Sequence, residues 1–566
     1  MSQQEQLHGY TGFTTSHLEE EMIIDKRLPT DISMDDLYPL VVHAIEIQPQ
    51  VVTAESGIRA STMSGLYNYE FGRDSMTTAA SILELKKTLP NNEWVHNVYM
   101  NTRKSIYHYW DYINEVTSKL PHEIVKYDPN NESHQERLKR GFYQLREVHG
   151  EIYCVNENSI DVDVLALSTT AQMIEFDEQL AEKGILNADE VKETKRKLLP
   201  IMEKSMNEVI KRTNETDNLL CYYQDAWDEE RAKKNLHNQV FMDSEYGGDT
   251  PAGRDHIGFV AACEVQAYLW KAYGEMNRVF SGYSEISALH LGDRQQKLKE
   301  KFNKHFVIGF GENGIGIAHN IFLHDKELMT QFINNGYAAE EYQEPTAEEK
   351  FYIEQNPAVS ICQAKVLNER LFGESIIEKR YEPGILQTLT RQEDPSDMLS
   401  SEYYMFSPNL GIKTFPRISA SNRGDGYHNG THITYKDNDR LVTKRIKGIY
   451  WPFTTDEASD AAAKVLQAMS EEDLEKYKFN PLLSNEVAFA TLRLYRDKGT
   501  FVEQVIELED GTVRLHNDGK SEERGSNYDQ TWNWARFLER TARLGLLEEL
   551  LDRYQRETIE KSLNAA

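Results

Sequence analysis

Tyr67-Asn-Tyr-Glu-Phe-Gly-Arg-Asp-Ser75 is a polar, aromatic loop that runs directly into Asp74–Lys87, where apolar residues return at the i, i+3, i+4, i+7 spacing of a helix. Asp74 falls where an N-cap would sit, and Arg73 beside it adds a cation at the same helix mouth. The same unit, a chemically rich loop followed by a long amphipathic helix, recurs along the chain. Helical periodicity marks Asp35–Ile47, Asp74–Lys87, Val98–Glu115, Val164–Glu182, Glu190–Arg212, Ile257–Met276, Thr346–Glu354, Asp456–Met469, Glu486–Arg496 and Trp532–Arg553. Strand-like alternation is rare, so the pattern is all-α.

The intervening loops are Ser64–Asp74, Leu120–Asn158, Tyr222–Asp255, Ile308–Asn320, Glu393–Trp451 and Phe501–Asp529. Loops this long inside a compact fold are functional or disordered, and their Gly turns and aromatics favour order. Residues 505–515, alternating about Asp510-Gly511, predict a small β-hairpin with a type I′ turn. No Pro-rich linker or short repeat divides the chain, which predicts a lead-in segment and first helix over 1–50 and one catalytic domain over 51–566.

Composition bounds the function. With 39% hydrophobic and 10% aromatic residues among 566, a core is assured. The 92 acidic against 63 basic residues give a net charge of −29, a field that repels nucleic acid and anionic membranes but not a neutral sugar. Cys154, Cys221, Cys263 and Cys362 are scattered without zinc-ligand spacing and read as buried thiols. The opening MSQQEQLHGYTGF lacks the basic start and apolar run of a leader, and no stretch approaches the ~18 apolar residues of a membrane span, so a cytoplasmic location is expected.

Glycoside hydrolysis needs one protonated carboxyl to deliver a proton and one ionised carboxylate to activate water or attack the ring. Four loops offer candidates. Beside the Asp74 loop, Asn238–Arg254 projects Asp243 from an apolar setting of Val240, Phe241 and Met242, where desolvation raises a carboxyl pKa. Its glycines lack the GK[ST] ending of a phosphate-binding loop. Glu503 stands just before the hairpin among Phe501, Val502 and Val505, and its bland alternative is an exposed loop acid. Tyr427, His428 and Asn429, followed after a basic insertion by Trp451, read as a sugar-lined rim.

These motifs, in this order, resemble the (α/α)6-barrel glycosidases, specifically the amylo-α-1,6-glucosidase part of glycogen debranching enzymes, with a C-terminal segment nearer glucoamylase. The resemblance runs from about Ser64 onward. Phe71-Gly-Arg-Asp-Ser75 is similar to the family motif whose Arg and Asp hold the sugar at the cleaved subsite. Asn158-Ser-Ile-Asp161 and Leu120-Pro121 are similar to two further family segments. Phe241-Met-Asp-Ser244, with Gly248-Asp-Thr-Pro251 and Glu264-Val-Gln-Ala267, resembles the acid-bearing pattern, Phe241 standing where the family has Trp; this implies Asp243 as general acid. Phe501-Val-Glu-Gln504 with Asp529-Gln-Thr-Trp532 is similar to the glucoamylase run, which implies Glu503 as general base. Asp225-Ala-Trp-Asp-Glu-Glu230 resembles glucoamylase's acidic segment and makes Asp228 or Glu229 the second choice for the acid.

The resemblance implies a six-hairpin toroid with long inserted loops, an inverting exo-acting mechanism on α-glucosidic bonds, and a substrate held by Phe71, Arg73, Asp74, Asn158, Asp161, Asp249, Arg254, His428, Asn429 and Trp532, with Trp227, Tyr427 and Trp451 as stacking platforms. Neither metal nor organic cofactor is expected. The rival readings are a hydrolase of another α-linked sugar (trehalose, a mannoside or a glycosylglycerate) and a catalytically silent sugar-binding barrel.

Overall fold

The computed structural model describes residues 28–53, 57–62, 69–225, 240, 257–309, 314–325, 351–356, 358–394, 396, 402–420, 430–437, 440–515 and 529–565. Its principal helices are α1 (Met34–Val51), α2 (Gly72–Thr88), α3 (Glu93–Tyr109), α4 (Asp161–Glu182), α5 (Ala188–Glu215), α6 (Cys263–Val279), α7 (Leu291–His305), α8 (Cys362–Asn368), α9 (Glu382–Leu389), α10 (Pro452–Ala468), α11 (Leu483–Lys498), α12 (Thr531–Arg543) and α13 (Leu547–Ala565).

Six of these close a ring. α2 packs on α4, α4 on α6, α6 on α8, α8 on α10, α10 on α12, and α12 returns to α2. Outside them α3, α5, α7, α9 and α11 lie on α2, α4, α6, α8 and α10, while α13 packs on α12 and α1 on α13. This is the (α/α)6 toroid. Periodicity explains the division of labour. The outer helix α5 buries one stripe (Val191, Leu198, Met202, Met206, Val209) and leaves charges outside, whereas α8 is buried along its whole length.

Among these helices, side-chain caps occur on outer ones only: α1, α3 and α5 are capped by Ser33, Asn92 and Asn187, whose side chains accept from backbone N–H groups, whereas the outer α7, α9 and α11 start without one. The inner six begin after Phe71, Ile160, Ala262, Ile361, Trp451 and Gln530, and none of these makes a side-chain cap. Their terminal N–H groups and positive dipole ends are therefore left to other partners at the rim.

Three antiparallel four-stranded sheets lie in the connections. One joins Glu70–Phe71, Glu123–Lys126, Glu151–Asn156 and Gln144–Val148, and feeds α2 and α4. A second joins Phe351–Gln355, Asn320–Asp325, Ile257–Ala262 and Tyr222–Asp225, and feeds α6 and α8. The third joins His432–Asp437, Arg440–Tyr450, Val505–Leu508 and Val513–Leu515, and feeds α10.

Several sequence expectations are corrected. The strand Ile257–Ala262 occupies the first third of the expected helix Ile257–Met276, its unbroken apolar run being equally that of a buried strand. Phe351–Gln355, expected as the end of a helix, is also a strand; the start of that expected helix lies outside the described residues. Trp532–Arg553 is two helices, parted where Gly545 takes φ 74°. The hairpin at Asp510-Gly511 forms, but only Gly511 has positive φ (82°), with Gly511 N donating to Leu508 O and Leu508 N to Thr512 O. That is a type I turn with a left-handed Gly, not type I′. It is also the edge of a sheet rather than an isolated decoration.

Candidate active site

The first turns of the inner helices meet at one rim, and specific contacts hold most of them in place. Arg73 Nε donates to Asp161 Oδ2 at 2.7 Å, joining α2 to α4. Leu220, in the lead to α6, exchanges two hydrogen bonds with the Gln266 amide of that helix. The Cys263 thiol of α6 meets Cys362 of α8. Lys365 of α8 pairs with Glu457 of α10 at 2.7 Å. The Trp451 ring, ahead of α10, meets Trp532 of α12 edge-on at 6.2 Å, and Phe453 stacks on the same Trp532 at 5.1 Å. Gln530 Nε2 donates to Asp74 Oδ1 at 2.9 Å, closing α12 back onto α2.

The FGRD segment is held by its glycine. Gly72 N donates to His122 O, and a Cβ on Gly72 would lie 2.6 Å from Val162 Cγ1 and 2.8 Å from the Pro121 carbonyl, as well as against Tyr109. The helix begins at Gly72, so Asp74 is its third residue and not the N-cap; Phe71 takes that position and its ring meets His122 edge-on. Asp74 is 6% exposed and still feels the favourable helix dipole. His122, squeezed by burial and by the Arg73 charge, is pushed down to about 3 and is neutral at physiological pH.

Arg73, 5% exposed, reaches further: its Nη2 donates to Val240 O at 3.0 Å. Asp161, wholly buried, also accepts from Ser159, two residues earlier, and Asn158 N is held by Asn156 Oδ1. The guanidinium therefore holds the Val240 carbonyl. Asp243, Trp227, Asp228, Glu229, Asp249, Arg254, Tyr427, His428 and Asn429 themselves lie outside the described residues.

Glu503 is 6% exposed, which removes the reading of a solvated loop acid. Its segment is sewn to α12: Gln530 N donates to Phe501 O at 3.0 Å and Asn533 Nδ2 to Val502 O at 2.8 Å. Through Gln530, whose side chain holds Asp74 while its backbone holds Phe501, residues some 430 positions apart share one corner. Trp451 is 1% exposed, and Trp532, two residues after Gln530, is 3% exposed.

Carboxylates are distributed unevenly around the rim. Asp74, Asp161, Asp163 and Glu264 occupy the first turns of α2, α4 and α6, while α8, α10 and α12 have none there. Glu264, absent from the sequence-derived site, is fully buried, and burial, reinforced by the negative Asp161, pushes its carboxyl up to about 7. Its Oε1 and both amide atoms of Gln504 have no hydrogen-bond partner among the described residues. Gln530 was also missed as a site residue. The signal for both is positional, since each stands at the start of an inner helix.

No protein-family profile matches the chain, and no curated protein matches it. Among solved structures it is similar to a GH63 mannosylglycerate hydrolase from Thermus thermophilus (10% identity over 88% of this chain and 99% of that one, TM-score 0.47). It is likewise similar to a glucoamylase from Saccharomycopsis fibuligera (13% identity, 93% and 99% covered, TM-score 0.45). A third is the unsaturated glucuronyl hydrolase from Bacillus sp. GL1 (12% identity, 91% and 96% covered, TM-score 0.38).

Proposed function

We propose that the chain is a glycoside hydrolase that cleaves α-glucosidic bonds of oligosaccharides or glycogen-type glucans from one end, with inversion at the anomeric carbon. The observation that carries this reading is the buried Asp74–Gln530–Phe501 link, which puts the Asp74 and Glu503 segments in one corner of a rim rich in carboxylates and aromatic rings. A neutral polyol is the ligand such a corner suits. Carboxylates and amides take hydroxyls, rings take the sugar face, and the negative field excludes phosphates.

In this reading Asp243 protonates the glycosidic oxygen while Glu503 deprotonates a water on the opposite face of the ring, their carboxyls ~6.5–9.5 Å apart. Arg73 and Asp74 hold hydroxyls of the terminal sugar. In support of this, Arg73 donates to the carbonyl of Val240, three residues before Asp243 in sequence. Purified protein incubated with maltose, isomalto-oligosaccharides, branched dextrin, trehalose and α-mannosides gives the substrate. Asp243→Asn and Glu503→Gln are expected to lose nearly all turnover with unchanged thermal unfolding. Full activity in either variant refutes that residue's role, and loss only in Asp228→Asn or Glu229→Gln transfers the acid to the earlier segment.

A further inference from the structure

Away from the rim, on the outside of the first sheet, two histidines converge on one carboxylate. His108 Nδ1 lies 2.7 Å from Asp111 Oδ2, and His149 Nε2 lies 2.9 Å from the same oxygen. The two imidazoles stack with centroids 5.1 Å apart and planes 17° from parallel. Tyr112 meets His108 edge-on at 5.5 Å and restrains that ring. The three donor atoms lie within 4.8 Å of one another.

The backbone prepares the arrangement from both sides. His108 and Asp111 stand three residues apart where α3 ends and the short 3-10 turn Trp110–Tyr112 follows, the negative end of a helix dipole. His149 occupies the first central position of the two-residue hairpin between the paired residues Val148 and Glu151, with φ 51°, and Gly150 follows at φ 80°. That is a type I′ turn, in which Asn, Asp or Gly is the ordinary choice. Histidine, with Asn and Asp, is among the non-Gly residues that accept this region, so the turn presents His149 without breaking the hairpin.

We propose that His108, Asp111 and His149 form a binding site for a borderline divalent transition ion of the Zn2+ class, which staples the Val148–Glu151 hairpin to the end of α3. Two imidazoles and one carboxylate are the donor set such ions take, at bond lengths of about 2.0–2.2 Å. Ligands on a tetrahedral ion at these distances sit about 3.4 Å apart. Taking up an ion would open the 2.7 and 2.9 Å separations by about 0.5–0.7 Å and bring the two imidazole nitrogens, now within 4.8 Å of each other, to the same spacing. The hairpin belongs to the sheet that ends in Phe71 and delivers Asn158, so the ion stiffens the outer edge of the scaffold and takes no part in chemistry at the rim. The site stands independently of the hydrolase reading.

The test uses tag-free full-length protein, isothermal titration with Zn2+, and the visible absorption of bound Co2+. One equivalent of Zn2+ is expected to bind saturably and raise the thermal midpoint, and Mg2+ to do neither. His149→Asn keeps a residue suited to the left-handed turn while removing the ligand, and Asp111→Asn removes the charge. Each should fold normally and bind Zn2+ at least about tenfold more weakly. Absence of Zn2+ binding to the unaltered protein, or equal binding by folded His149→Asn, overturns the proposal.

Discussion

Arg73 offers the sharpest test of how the rim is held together. Replacing it with Met preserves most of the aliphatic volume but removes the 2.7 Å bond to Asp161 and the 3.0 Å bond to Val240 O. Asp161 is wholly buried, so its carboxylate would be left with the Ser159 hydroxyl as its remaining described side-chain donor. An unpaired buried charge costs about 3–5 kcal/mol, and the lost bond to a buried carbonyl adds about 1 kcal/mol. Urea unfolding followed by tryptophan fluorescence should place Arg73→Met about 4–6 kcal/mol below the parent, the sum of those two costs. The double variant Arg73→Met with Asp161→Asn, in which the stranded charge is gone, should recover part of that loss, with a coupling of at least about 1 kcal/mol. A cost below about 1 kcal/mol for Arg73→Met, or simple additivity in the double variant, would refute the claim that this pair braces α2 against α4.

Gly72→Ala would ordinarily gain up to about 1 kcal/mol of helix propensity. Here the Cβ meets Val162, the Pro121 carbonyl and Tyr109, so we expect a net loss of about 1–3 kcal/mol by the same unfolding assay, and a stabilised variant would contradict the packing described. Glu264 predicts a pH effect. Its folded pKa of about 7 lies above the ordinary 4.5, so the folded state holds the extra proton, and the stability this gives is full below about pH 4.5 and lost as pH rises through 7. Glu264→Gln should therefore be more stable than the parent at pH 8 relative to pH 5, by an amount on the order of 3 kcal/mol, and an unchanged pH profile would place the carboxyl in a wetter setting.

The helical hairpins were legible because an outer helix such as α5 must alternate a buried stripe with a charged face, and that period survives in sequence. The inner helix α8 was not found: seven residues, all buried, have no amphipathic period to read. α7 escaped for the opposite reason, since Leu291, Leu298 and Phe302 are its only buried residues among many charges. The strand Ile257–Ala262, IGFVAA, is apolar throughout and merges with the helix behind it.

At the rim, Arg73, Asp74, Asp161 and Glu503 were named from residue type and order. Their joining was invisible, because Arg73–Asp161 spans 88 positions and Gln530–Asp74 spans 456, and nothing local encodes either. Glu264 and Gln530 were passed over because a buried Glu and a helix-starting Gln look ordinary in sequence until the fold puts them at the starts of the inner helices α6 and α12.

The most direct test of the proposed chemistry is the anomeric form of the sugar released in the first minutes of hydrolysis, read by proton NMR before mutarotation. An α-linked glucan should yield β-glucose if Glu503 activates water from the face opposite Asp243. Initial release of α-glucose would require a covalent intermediate and carboxyls only ~5–5.5 Å apart, and would contradict the account.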